Sequence, residues 1–193
     1  MNETIKTILN RRSTRMFGEG TIKEEDVKTI VEAGLAAPSS MNTQSWHFSV
    51  IQDRELMNKI SEDAKKVAKN FDEEMIQKLA NNEKFNAFYN SQVAIIVSAE
   101  EKAYESEINC AIASQNMLLA AESLGLASCW IGFVGFLFQS QREEDKAIVE
   151  KYKEKLGVPE GFKPLHAIIL GQKNPKMSGK APEKRTGTVT YVK

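Results

Sequence analysis

The stretch Ile108-Asn-Cys-Ala-Ile-Ala-Ser-Gln-Asn-Met-Leu-Leu-Ala-Ala-Glu-Ser-Leu124, continued by Gly125-Leu-Ala-Ser-Cys-Trp-Ile-Gly-Phe133, decides how this chain folds. Ala111, Ala113, Ala120 and Ala121 stand among Ile112, Met117, Leu118 and Leu119, a helical composition whose sparse polar positions leave no wide wet face. A helix apolar nearly all round is buried inside its own subunit or against another one. Gly125 supplies the C-terminal stop, and Leu126 to Phe133 then reads as a strand with its exit loop. The most apolar run, Met117 to Phe138, is broken by Glu122, Gly125, Gly132 and Gly135, and its last uncharged part is too short to span a bilayer. It belongs to a core.

Outward from this pair, the pattern alternates between helix and strand. Toward the C-terminus, Glu144 to Leu156 is a charged amphipathic helix closed by Gly157, and Leu165 to Leu170 is a buried strand. The tail after Gly171 is rich in Lys, Pro and Gly, and its last piece, Thr188 to Val192, alternates in a way that suits a sheet edge. Toward the N-terminus, Val93 to Val97 is a β-branched run of the kind covered on both faces in a central strand. Asp53 caps a helix with Leu56, Ile60, Ala64 and Val67 on one face, and a further helical stretch covers Glu73 to Leu79. Asn81 to Asn90 has no clear period. Trp46 to Ile51 alternates as a half-buried strand, entered through the turn-rich loop Pro38 to Ser45. A helix ending before Pro38 carries Val27, Ile30, Val31, Gly34 and Leu35 and is expected to start from a capping box formed by Thr21 and Glu24. Asn2 caps a first short helix with Ile5, Ile8 and Leu9, ending near Arg11 and Arg12. With no linker or repeat, residues 1–193 read as one α+β domain, helices around a central sheet of about five strands.

Twenty-six basic and 26 acidic side chains cancel over 193 residues, so no global field attracts a polyanion, and a nucleic-acid partner is not expected. Hydrophobic content of 41% and charged content of 27% are those of an ordinary folded domain. Two cysteines and two histidines without ligand spacing make neither a disulfide framework nor a structural metal site. The N-terminus shows no apolar secretory segment, and a cytoplasmic protein without a membrane partner is expected.

The dinucleotide fingerprint suggested by Gly18-Glu19-Gly20 fails at Lys23, and there is no phosphate loop, nucleophile elbow or Cys/His pair. If the chain is an enzyme, its reactive group is borrowed. Arg11-Arg12-Ser13-Thr14-Arg15 has the guanidinium groups and hydroxyls to grip a phosphate, although the same cations could simply answer a helix C-terminus. The loop Pro38 to Ser45 is open to two readings, a ligand contact or a turn satisfying its own backbone. Gly125 to Phe133 likewise allows main chain to approach a planar ligand or merely to pack as a buried strand. Cys129, His47 and His166 read as core or spacer residues.

Taken together, several segments resemble the FMN-dependent nitroreductase family. They are Arg11-Arg-Ser-Thr-Arg15, Ala36-Ala-Pro-Ser-Ser-Met-Asn-Thr-Gln-Ser-Trp-His-Phe48, Gly125-Leu-Ala-Ser-Cys-Trp-Ile-Gly132, and Leu165-His-Ala-Ile-Ile-Leu-Gly171 followed by Lys184-Arg185. They stand in the family's order and span nearly the whole chain. The resemblance implies a mostly antiparallel sheet and an intertwined homodimer holding two FMN at the subunit interface, with the tail, about 172–193, lying over the partner. It implies reduction by NADH or NADPH and transfer to nitroaromatic, quinone or similar small-molecule acceptors, the flavin carrying the chemistry with no catalytic side chain. Specialised members, such as a reductive dehalogenase or an enone reductase, and a flavin-binding or redox-sensing protein without turnover are the alternatives. By position, Arg11, Ser13 and Arg185 match phosphate ligands with Arg12 and Lys184 nearby, and Arg15 matches a cation toward the ribityl chain and pyrimidine edge. Pro38, Ser39, Ser40 and Asn42, with Gln44 beside them, match a loop contributed by the opposite subunit. Trp130, Ile131 and Gly132 match a segment along one flavin face that donates a backbone N–H toward N5. Phe71 to Ser91 carries no family motif, and Gly132-Phe133 stands where some members have an acidic residue followed by glycine.

Overall fold

The structure, a computed structural model, describes residues 1–176, 181 and 183–192. Among these residues the chain runs α1 (Glu3–Asn10), β1 (Phe17–Gly18), α2 (Glu24–Leu35), a 3-10 turn (Ser40–Asn42), β2 (Trp46–Ile51), α3 (Arg54–Ala68), α4 (Glu74–Asn81), β3 (Val93–Glu100), α5 (Ser106–Ser123), β4 (Leu126–Ile131), α6 (Gly135–Phe138), α7 (Glu143–Lys155) and β5 (Phe162–Lys173). The α+β class and the single sheet are as expected. Every ladder in that sheet is antiparallel.

The sheet is organised around β5. Its residues 167–172 pair with β4, while 162–170 pair with β3, so the two flank it on opposite edges. Gln172 pairs with both Leu126 and Gly18, which puts β1 on the edge that β3 has just left. β2 completes the sheet beyond β3. Alternation then sorts side chains into two cores. Ala94, Ile96, Cys129, Ile131, Ala167 and Ile169 face α3, α6 and α7, whereas Val93, Ile95, Val97, Ile168 and Leu170 face α2 and α5. Each fully buried isoleucine or valine there contributes about 1.5–3 kcal/mol of transfer free energy. Helix α2 approaches α5 closely because Gly34 has no side chain: a Cβ there would lie 2.7 Å from Met117 Cε.

Several local expectations are corrected. Thr21 and Glu24 form no capping box; Lys23 is the N-cap, without a side-chain bond, and α2 opens on Glu24, Glu25 and Asp26, whose charges answer its dipole. The Thr21 carbonyl is taken instead by the Gln172 side chain at 2.8 Å. β5 starts earlier than expected, and Pro164 is tolerated within it because it sits beside the register shift at Val97/Ser98. Thr188 to Val192 is not a strand: it is exposed, Tyr191 at 86%, and pairs with no strand among the described residues. Within the expected tail, residues 177–180, 182 and 193 lie outside the described residues. Asn2 and Asp53 do cap α1 and α3, accepting the N–H groups of Ile5 and Leu56.

Candidate functional site

Leaving α1, Arg11-Arg12-Ser13-Thr14-Arg15 is laid along β4. Thr14 N–H donates to Ser128 O at 2.9 Å, and Ser13 bridges Ser128 in parallel. The five side chains then divide. Arg12 turns back, its Nη1 donating to Leu9 O at 2.7 Å and Arg11 O at 2.8 Å, and thus caps the carbonyl end of α1. Among the described residues its Nε is buried without a partner. Arg11, Ser13 and Arg15 act on Cys129 instead. Burial pushes that thiol up, while the charge of Arg15, a hydrogen bond with Ser13 and the charge of Arg11 oppose the shift. Cys129 is wholly buried, so it is a core residue, as the sequence indicated. The Arg15 guanidinium lies 5.7 Å from the Tyr89 ring centroid.

Arg12 to Arg15, but not Arg11, line a cavity of about 620 Å³ whose other walls include Glu122, Lys173 and Asn174. Lys173 Nζ and Glu122 Oε1 are paired at 2.8 Å. Lys184 and Arg185 lie on the exposed tail and do not border this cavity.

The loop from Pro38 to Ser45 stands at the other end of α5. Met41, Asn42 and Gln44 have φ of 52°, 56° and 48°, a cluster of left-handed non-glycine residues that local propensity alone does not produce. Asn109, buried in α5, pays for it: its Oδ1 accepts Ser40 N–H at 3.0 Å, and its Nδ2 donates to Ser45 Oγ at 2.9 Å and Thr43 Oγ1 at 3.3 Å. Ser39 Oγ accepts Gln44 N–H, Gln44 Nε2 donates to Asn42 Oδ1, and Ser40 Oγ bonds Glu105. Pro38, Asn42 and Gln44 remain exposed. Asn109 and Glu122 are about 20 Å apart along the helix axis, so one chain does not bring the loop to the Arg11–Arg15 segment.

At the end of β4, Trp130 is 48% exposed and its indole leans over Gly132, where a Cβ would lie 2.9 Å from Trp130 Cη2 and Cζ3. Beneath it lies His166, ring centroids 5.0 Å apart, with Nε2 2.7 Å from Ser114 Oγ. Burial pushes the His166 pKa down to about 4, so the ring is neutral at pH 7. Ile131 is buried on the opposite face of the sheet.

The sequence profile of the nitroreductase family matches residues 8–172, spanning all three regions. The chain belongs to the nitroreductase family. A nitroreductase from Bacteroides fragilis, whose crystal structure holds FMN, is 34% identical and superposes with a TM-score of 0.89 over 100% of both chains. A candidate NADH dehydrogenase/NAD(P)H nitroreductase of Archaeoglobus fulgidus is 34% identical over 176 residues, 89% of this chain and 86% of its own. The FMN reductase (NADPH) of Bacillus subtilis is 31% identical over 192 residues, 94% of this chain and 70% of its own. Within this nitroreductase-family chain, sequence reasoning missed Asn109, Tyr89 and the Ser114–His166 pair. Asn109 carried a signal, as an amide flanked by Ile108 and Cys110 in the apolar helix, whereas Tyr89 sits in a segment without periodicity. Among the described residues no helix is long and apolar enough to cross a membrane.

Proposed function

We propose that this chain is an FMN-dependent NAD(P)H oxidoreductase, acting as a cytoplasmic homodimer, that reduces nitroaromatic, quinone or similar electron-poor acceptors by ping-pong turnover. The observation that carries this reading is the donor set laid along β4. Ser13 and Arg15 supply a hydroxyl and a guanidinium group that line a cavity of ligand size, about 620 Å³, Arg11 stands two residues before Ser13 on the same segment, and Arg15 meets an aromatic ring rather than a carboxylate. The orphaned Arg12 Nε beside them suits an anion or its water. These residues fit a phosphorylated flavin, and the FMN of the Bacteroides fragilis relative and the name of the Bacillus subtilis one support it.

Arg11, Ser13 and Arg185 would hold the phosphate, with Arg12 and Lys184 adding charge from nearby, and Arg15 would face the ribityl chain and pyrimidine edge. Trp130, Ile131 and Gly132 would run along one flavin face, the backbone N–H directed toward N5. Pro38, Ser39, Ser40, Asn42 and Gln44 would come from the partner subunit, which accounts for their distance from the Arg11–Arg15 segment of their own chain. Bound FMN supplies hydride exchange, so no side-chain nucleophile is required. A fixed cation at Arg15 favours negative charge on the cofactor and hence acceptance of hydride.

The homodimer is supported by uncovered apolar surface. Helix α1 has no buried residue and leaves Ile5, Ile8 and Leu9 each 43–44% exposed, and α5 exposes Ile108 at 54% and Ile112 at 37%. The first test is the visible absorption of the purified protein, recorded anaerobically before and after NADH or NADPH. A flavin spectrum that bleaches supports the proposal; a flavin spectrum that stays would leave only a binding protein. The double substitution Arg11→Ala, Arg185→Ala should strip FMN, and full flavin content would remove the phosphate assignment.

A further inference from the structure

The segment from Phe71 to Ser91 carries no motif, yet it supplies the aromatic group that meets Arg15. A carboxylate in that place would orient the guanidinium and cancel its charge. An aromatic face orients the flat cation and leaves its full charge available to a third group. The Tyr89 ring, 5.7 Å away, is within the reach of that interaction.

Tyr89 is itself held deliberately. Its φ is 51° and that of Asn90 is 54°, two successive non-glycine residues in the left-handed region, where strain persists only if the surroundings impose it. The turn is closed by Tyr89 N–H to Asn86 O at 2.9 Å and Ser91 N–H to Phe88 O at 3.0 Å. It is anchored by buried Phe88 and by Ala87 N–H donating to Ser61 Oγ of α3 at 2.8 Å. The Tyr89 ring stands edge-on to Phe85 at 5.7 Å, and Phe85 stands edge-on to Phe133 at 4.9 Å. Phe133 directly follows Gly132. A row of rings therefore runs from Arg15 to the turn after β4, the two places assigned to the pyrimidine edge and to N5.

We infer that Tyr89 is the positioning residue that holds Arg15 toward the flavin and thereby sets how strongly bound FMN prefers its reduced form. The inference rests on the functional reading above. Its test uses the full chain loaded with FMN, as wild type and as Arg15→Gln, Arg15→Lys, Tyr89→Phe, Tyr89→Leu and the double variant Tyr89→Leu, Arg15→Gln. The readout is the ratio of dissociation constants for oxidised and reduced FMN, obtained from equilibration with reference dyes. Arg15→Gln should lower that ratio roughly tenfold. Tyr89→Leu should lower it about threefold, the scale of an exposed cation–π contact, and Tyr89→Phe should leave it unchanged. Arg15→Lys, which keeps the charge and loses the flat stacking surface, should fall between wild type and Arg15→Gln. On the Arg15→Gln background, Tyr89→Leu should add nothing. Melting curves of the flavin-free variants check folding, and because Arg15 is exposed, Arg15→Lys probes the same contact without touching the turn. A silent Tyr89→Leu beside an effective Arg15→Gln overturns the assignment, as does an equal Tyr89→Leu effect on both backgrounds. A wild-type chain that takes up no FMN overturns the functional reading together with this one.

Discussion

Asn109 reaches from α5 to the main chain of Ser40, accepting its N–H at 3.0 Å, and it does so from a side chain that is 1% exposed. The same amide donates to Ser45 and Thr43, so one residue fixes both ends of a loop with three left-handed non-glycine positions. Replacing Asn109 with leucine leaves Ser40 N–H without its partner and should cost about 1–3 kcal/mol, read from the shift of the urea midpoint. It should also weaken FMN binding several-fold, because the freed loop relaxes from its strained turn. A variant as stable as wild type with undiminished flavin affinity would separate the loop from the site.

Gly132 is required by a neighbour rather than by its own backbone. A Cβ there would meet the far edge of the Trp130 ring at 2.9 Å, and that ring, half-exposed, can swing away. Gly132→Ala should therefore cost only about 1 kcal/mol while turning the indole into water. The chain has two tryptophans, and Trp46 is buried, so emission in a Trp46→Phe background reports Trp130 alone. A red shift is the expected result, and the cost of the alanine should shrink in Trp130→Leu. Unchanged emission would mean that the main chain, not the ring, gives way.

How much of this was open to sequence depends on whether the signal was local. The apolar helix and the strand after Gly125 were readable because burial imposes a period on neighbouring residues, and Asn2 and Asp53 because a cap is a contact three residues long. Thr21 misled because a capping box is only a spacing, and the carbonyl of Thr21 was already committed to Gln172, 151 positions away. Short β1 and α6 were invisible for the same reason, since Gly18 lies against Lys173 and Gly135 against Leu165. In the candidate site, the clustering of Arg11, Ser13 and Arg15 was readable from their spacing, but the turning back of Arg12 toward Leu9 was not, nor was the ring of Tyr89 beside Arg15. Each of these depends on a contact that the fold creates.

His166 makes stability depend on pH. Its pKa falls from 6.5 to about 4 because burial disfavours the charged ring. Between those values the unfolded chain binds the proton and the folded chain does not, so stability is full above pH 6.5 and drains away as pH falls toward 4. The loss is about 3 kcal/mol at most. His47, shifted in the same direction by burial, adds a part that a comparison cancels. Urea midpoints between pH 7 and 4 should decline less in His166→Gln than in wild type. Parallel curves would show that the buried ring is protonated without cost.

The proposed homodimer rests on the exposed apolar faces of α1 and α5. α1 has Asn2 as its cap and Ile5, Ile8 and Leu9 on one side, yet none of its residues is buried. An amphipathic helix whose apolar side is wet gains little over the unfolded chain, and short helices depend on such packing for stability. On α5, Ile108 and Ile112 are four residues apart and share a face directed away from the chain's own core. Placing a charge there should leave the subunit folded and separate the pair. Ile112→Glu is expected to elute as a monomer with native circular dichroism and to lose most of its FMN, since the loop from Pro38 to Ser45 would no longer reach its partner's site. A monomeric variant that keeps its flavin would show that one chain builds the whole site, and a dimeric one would move the interface away from α5.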